Sequence, residues 1–142
     1  MTQRTQLIVL GNECNLLISG KQTLLFDCGI SFTKDWGSLR VHPIVRRVLR
    51  DHNRRRAYGP DFSLMPDGEK VANLVHLHGH FDHCGFTPGI EKANRFTTNA
   101  KAWGAPQTND LLRIHFQETM RRSSYLYNRL HVRKTIKRMR VM

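Results

Sequence analysis

The sequence predicts an α/β fold, a mixed sheet with flanking helices. Three observations carry that prediction. Short apolar runs broken by turn residues follow one another near the start, a buried strand in the middle of the chain leads into a histidine cluster, and apolar residues recur at helical spacing on either side of that cluster.

The elements follow in order. Leu7-Ile8-Val9-Leu10, Asn15-Leu16-Leu17-Ile18 and Thr23-Leu24-Leu25-Phe26-Asp27 read as strands, separated by turn residues at Gly11-Asn12 and Ser19-Gly20-Lys21. Three short strands in succession predict an antiparallel meander. From Trp36 onward Val41, Ile44, Val45, Val48 and Leu49 recur at three- and four-residue spacing, with Arg46, Arg47 and Arg50 between them, the pattern of an amphipathic helix with a basic outer side. Arg54-Arg55-Arg56 extends this helix and Gly59-Pro60 stops it. Val71-Ala72-Asn73-Leu74-Val75-His76-Leu77 reads as a buried strand, and Arg95-Phe96-Thr97-Thr98 as a short one. Pro106, with Thr108 or Asn109 as cap, opens a helix with Leu112, Phe116 and Met120 on one side, and a last helical stretch carries Val132, Ile136 and Met139. There is no internal repeat or low-complexity segment. The 142 residues are expected to form one domain, with 121–142 as a basic helical C-terminal segment.

Composition excludes some classes. At 39% hydrophobic and 24% charged residues the chain is globular in character, not disordered. No apolar run approaches the roughly 20 residues that span a bilayer, and the opening residues do not read as a signal peptide. A soluble intracellular protein, cytoplasmic or nuclear, with no membrane partner is the expectation. Cys14, Cys28 and Cys84 are odd in number and match no zinc-finger spacing, so reduced thiols are expected. The formal charge is +12, and 16 of the 23 basic residues are Arg, whose planar fork suits phosphate. After Glu118 there is no acidic residue, while Arg121, Arg122, Arg129, Arg133, Lys134, Lys137, Arg138 and Arg140 follow. These eight are the candidate nucleic-acid-binding residues, with a solvated helix face as the plain alternative.

The strongest chemical signal is His78-Gly79-His80-Phe81-Asp82-His83. In an extended loop leaving a strand, alternate residues point the same way, so His78 and His80 can serve one ion. Asp82 and His83 come a step later and can turn toward a second. Mixed imidazole and carboxylate donors suit zinc. His76, although in phase with His78, reads as a packed strand histidine. Gly79 is expected to let backbone approach the metal and Gly85 to allow a tight turn. Cys84 reads as a small core residue. Asp27, where the third strand ends, is a carboxylate able to orient a ligand histidine or to cap a turn.

Phe26-Asp27-Cys28-Gly29 followed by His78-Gly79-His80-Phe81-Asp82-His83-Cys84-Gly85 resembles the first two signature motifs of the metallo-β-lactamase superfamily. Pro106-Gln107-Thr108-Asn109-Asp110-Leu111-Leu112 and the stretch from Tyr127 to Met142 resemble the β-CASP branch, which holds RNA-processing nucleases such as the cleavage and polyadenylation endonuclease and ribonuclease J. The resemblance implies a partial metallo-β-lactamase (αββα) fold, mainly its N-terminal half. It implies a two-zinc site with His78 and His80 on the first ion and Asp82 and His83 on the second. Asp27 would support the site, Asp82 would act catalytically on the proton, and the substrate would be an RNA phosphodiester.

The sequence departs from the family in two ways. Leu77 stands where the family usually has Ser or Thr, and the later histidine and aspartate motifs are missing, since His115, His131 and Asp110 match none of them. The resemblance therefore implies a chain incomplete at the C-terminus of the catalytic domain, with one sheet face left without its partner sheet. Four readings follow: a fragment of a nuclease; half of a split enzyme completed by another chain or by self-association; a non-catalytic basic RNA-binding remnant; or a hydrolase of another branch acting on an ester or thioester.

Overall fold

Left-handed backbone at the first reversal sets up the meander: Gly11, Asn12 and Glu13 have φ of 84°, 52° and 56°. In the computed structural model, which describes residues 5–33, 56–122 and 127–142, β1 (Thr5–Gly11), β2 (Cys14–Ser19) and β3 (Gln22–Phe26) pair antiparallel, as the sequence predicts. The amphipathic helix expected around Val41 to Leu49 lies outside the described residues. Its expected extension fails at Arg56, because β4 (Ser31–Thr33) and β5 (Arg56–Tyr58) form a two-stranded antiparallel sheet in which Arg56 pairs with Thr33. Ladder hydrogen bonds thus take the backbone of Arg56, which its charged neighbourhood assigns to a helix.

β6 (Val71–Val75) joins the edge of the meander by pairing parallel with β3. It leads into two short helices, α1 (Phe81–Cys84) and α2 (Thr87–Lys92). β7 (Phe96–Gly104) is parallel to β6 and much longer than the run read at residues 95–98, because Ala100, Ala102 and Gly104 continue the buried alternation. α3 (Pro106–Arg122) starts at Pro106 itself, so Thr108 and Asn109 are not caps but buried residues of its first turn. There Asn109 Nδ2 donates to Arg140 O (3.0 Å). α4 (Arg129–Arg138) is capped by Asn128, whose side chain accepts from the backbone of Leu130 and His131. The segment 121–142 is not purely helical. Met139, placed in the last helix by its spacing, starts β8 (Met139–Val141), which pairs parallel with β7 and closes the sheet in the order β1-β2-β3-β6-β7-β8.

One row of directly paired residues crosses all six strands: Ile8, Leu16, Leu25, Leu74, Ala102 and Met139. Leu16, Leu25, Leu74 and Ala102 are fully buried, and their side of the sheet carries the core. The adjacent row, Val9, Asn15, Phe26, Val75, Trp103 and Arg140, points to the opposite face. On that face Leu7 and Val9 are 65% and 63% exposed. A second apolar cluster, with Ile30, Cys84, Leu112, Phe116, Tyr127 and Val132, seats α3 and α4 beside the histidine loop. Tyr127 Oη donates to Gly85 O at 2.7 Å within it. Among the described residues no helix is long and apolar enough to cross a membrane.

Candidate metal centre

Parallel pairing places the site. β3 and β6 run side by side in one direction, so Asp27, just past the end of β3, and the loop that leaves β6 meet at the same end of the sheet. The carboxyl ends of parallel strands are where open α/β sheets bind ligands. Asp27 has φ of 53°, a left-handed conformation that Asp tolerates better than most side chains. That bend leaves its backbone N–H on Val75 O (2.9 Å) and turns its carboxylate toward the loop.

Two backbone segments are stitched together around this bend. Cys28 N donates to His83 O and Phe86 N to Cys28 O (2.8 Å). Gly29 lies so close to the loop that a Cβ there would stand 1.5 Å from Asp82 O, so only glycine fits. Gly85 makes the turn from α1 into α2, as expected of it, and both it and Gly79 are tightly packed. A Cβ on Gly79 would meet Leu111 Cδ1 of α3 at 3.1 Å, and Gly85 has helical angles with Phe81 O 2.6 Å from its Cβ position.

The Asp27 carboxylate is 2% exposed and engaged on both oxygens. Oδ1 accepts from Leu77 N at 2.9 Å, and Oδ2 lies 3.1 Å from His83 Nδ1. An ionised carboxylate only accepts, so this contact puts the proton of a neutral His83 on Nδ1 and leaves the Nε2 lone pair free for an ion. Asp27, His78 and His83 each offer a donor atom, all within 4.8 Å of one another. The rings of His78 and His83 are 3.8 Å apart, and His80 stands edge-on to His78 at 4.7 Å. Tetrahedral zinc with ligands 2.0–2.1 Å away needs donors roughly 3.4 Å apart, so the cluster must close by little more than about 1 Å. These residues fit a metal ion.

The loop thus gathers His78 and His83, and Asp27 meets them through its contact with His83 Nδ1. His80 is exposed beside them, and Asp82 is exposed in the first turn of α1. His76 is, as expected, a packed histidine: it is 1% exposed, with Nε2 3.5 Å from Thr87 Oγ1 and no partner for Nδ1. Burial lowers its pKa to about 4. Cys84 packs inward with Sγ on His80 O, and burial raises its thiol pKa, as it does that of Cys28. All three cysteines are free and buried. His115 packs against Phe81 and His131 completes the capping box of α4, so neither joins the site.

No protein-family model matches this chain, and no curated protein is similar to it.

Of the basic residues singled out by charge, Arg121, Arg129, Arg133, Lys134, Lys137 and Arg140 are exposed. Arg122 ends α3. Arg138 differs, because its Nε pairs with Glu91 Oε1 (2.5 Å) and its guanidinium sits over Phe96, which commits it to holding α4 against α2 and β7. Sequence reasoning missed Lys70 and Lys101, which lie outside the C-terminal charge run and join that surface only through the fold.

Proposed function

We propose that this chain is a metal-dependent hydrolase module of the metallo-β-lactamase type, acting on RNA phosphodiesters. The observation that carries the reading is the convergence of Asp27, His78 and His83 at the carboxyl ends of two parallel strands, with His80 beside them. His78, His80 and His83 would hold zinc, and Asp27 fixes the His83 ring in the tautomer that can bind it. When bound, zinc supplies a Lewis acid for the phosphoryl oxygens and activates water as the nucleophile. Asp82, exposed at the mouth of the loop, is free to hold a second ion or to take a proton. The charge of +12 favours a polyanionic substrate over a small ester.

The test is cleavage of single-stranded RNA by the zinc-loaded chain, beside His78→Ala and His83→Ala. The reading expects zinc-dependent fragments from the wild type and none from either variant. Zinc binding without cleavage at any metal concentration sinks the hydrolase assignment. RNA binding that is indifferent to zinc removal and to His80→Ala would then mark a non-catalytic RNA-binding module.

The exposed Leu7 and Val9 on the open sheet face favour one more reading, in which a second chain or a second copy covers that face and supplies further ligands. Light scattering checks self-association. It should weaken when Leu7 and Val9 are both changed to Thr, and a wild type that is monomeric at all concentrations rejects the second copy.

A further inference from the structure

β8 pairs only with Ala102, Trp103 and Gly104, so the edge of β7 from Phe96 to Lys101 has no strand beside it among the described residues. Arg138 covers part of this edge by donating from Nη1 to Thr98 O (3.0 Å) and Ala100 O (3.2 Å). Between the edge and α4 runs an open groove of about 830 Å³, lined by Lys70, Lys101, Lys134, Lys137 and Arg140. Glu91 is the only acidic residue among the described residues lining it, and Arg138 neutralises it.

We propose that this groove binds the phosphodiester backbone of single-stranded RNA, as an anchoring site separate from the metal centre. It rests on the RNA reading above for the identity of its ligand. The lysines have no carboxylate partner among the described residues; Lys101 Nζ lies over the Trp103 ring at 5.6 Å, and a compact ammonium on a flexible stem suits tracking phosphates. Asn94 and Asn99 add amide donors. Exposed Arg129 and Arg133 continue the positive charge along α4.

The one aromatic lining residue, Phe96, is buried under the Arg138 guanidinium, which leaves no platform for stacking bases. The groove therefore reads backbone and not sequence. It runs along the sheet edge from Lys70, at the end of the strands far from the metal loop, toward Arg140, which pairs with Trp103 level with Val75. Lys70 precedes β6 and His76 follows it, and those six steps span about 20 Å at 3.3 Å per residue. One ligand reaches both places only if it is a polymer that turns along the sheet edge. A single strand can do so, whereas duplex DNA stays straight over about 50 nm.

The experiment is fluorescence anisotropy of a labelled oligouridine with the full chain across a salt series, comparing the wild type, Lys134→Glu/Lys137→Glu and Arg113→Ala. The double variant should bind about tenfold more weakly or worse, with a salt slope shallower by roughly 1.4, about 0.7 for each single-strand phosphate that is no longer neutralised. Arg113→Ala, at an exposed position of α3 outside the groove lining, should bind like the wild type. Lys134→Ala/Lys137→Ala, gentler on the fold, should shift affinity and slope in the same direction. Unchanged affinity and slope in both double variants overturn the groove. So does a loss confined to phosphatidylserine vesicles with RNA binding intact, which would mark a membrane-facing surface. Weakened binding without any RNA cleavage leaves the groove standing and removes the hydrolase reading, whereas zinc-dependent cleavage together with unchanged binding in both double variants does the reverse.

Discussion

Changing Asp27 to Asn probes how the protein sets the chemistry of His83. Asn tolerates the left-handed backbone at φ 53° as well as Asp does, so the bend survives. Its amide oxygen still accepts from Leu77 N, which leaves the NH₂ facing His83 Nδ1 across the present 3.1 Å contact. An NH₂ group donates, so Nδ1 becomes the acceptor and the ring proton moves to Nε2, where it blocks the metal. Loss of such an orienting partner costs 10–100-fold in metal affinity, or about 1.4–2.8 kcal/mol. Replacing a charge-assisted hydrogen bond by a neutral one costs about 1–2 kcal/mol of stability. Isothermal titration with zinc measures the first and urea denaturation without metal the second. Zinc affinity unchanged in a folded Asp27→Asn protein would refute the reasoning, because Asp27 would then not choose the His83 tautomer.

Two further predictions concern groups that the fold has buried. His76 is held near pKa 4 by burial against an ordinary 6.5, so between those values the unfolded chain takes up a proton that the native chain does not. Stability of the metal-free protein should be level above about pH 6.5 and fall by about 3 kcal/mol as pH drops toward 4. Denaturation curves of His76→Gln should lack that part of the fall, and identical pH dependence in both proteins contradicts it. Arg138→Met strands Glu91, whose side chain is 7% exposed, and should destabilise the chain by about 3 kcal/mol. Lys134→Met, at an exposed position, should stay within about 0.5 kcal/mol, and equal effects of the two substitutions would show that Arg138 is an ordinary surface charge.

The meander and the central strand were legible because their apolar runs and turn residues are local signals, as with Leu16 and Leu25 against Gly11 and Asn12. Long-range pairing was not. Met139 keeps helical spacing with Val132 and Ile136, yet a parallel ladder beside Ala102 takes it into a strand. Arg56 sits in a run of charges and is claimed by Thr33 in the same way. At the site, the residue types in the loop announced a metal ligand set, whereas the arrival of Asp27 among them depends on β3 lying parallel to β6. Charge patterning grouped Arg138 with its exposed neighbours because a sequence does not show that Glu91 is waiting for it, and it left out Lys70 and Lys101, which only the fold brings to the same groove.

That Asp27, His78 and His83 form a metal centre is tested most directly by long-range ¹H–¹⁵N spectra of the histidine rings during a zinc titration. Zinc should shift ring nitrogens of His78, His80 and His83, with Nε2 of His83 as the bound atom, and leave those of buried His76 and of His131 in its capping box in place. Ring signals of His78 and His83 that stay fixed at saturating zinc would contradict the account.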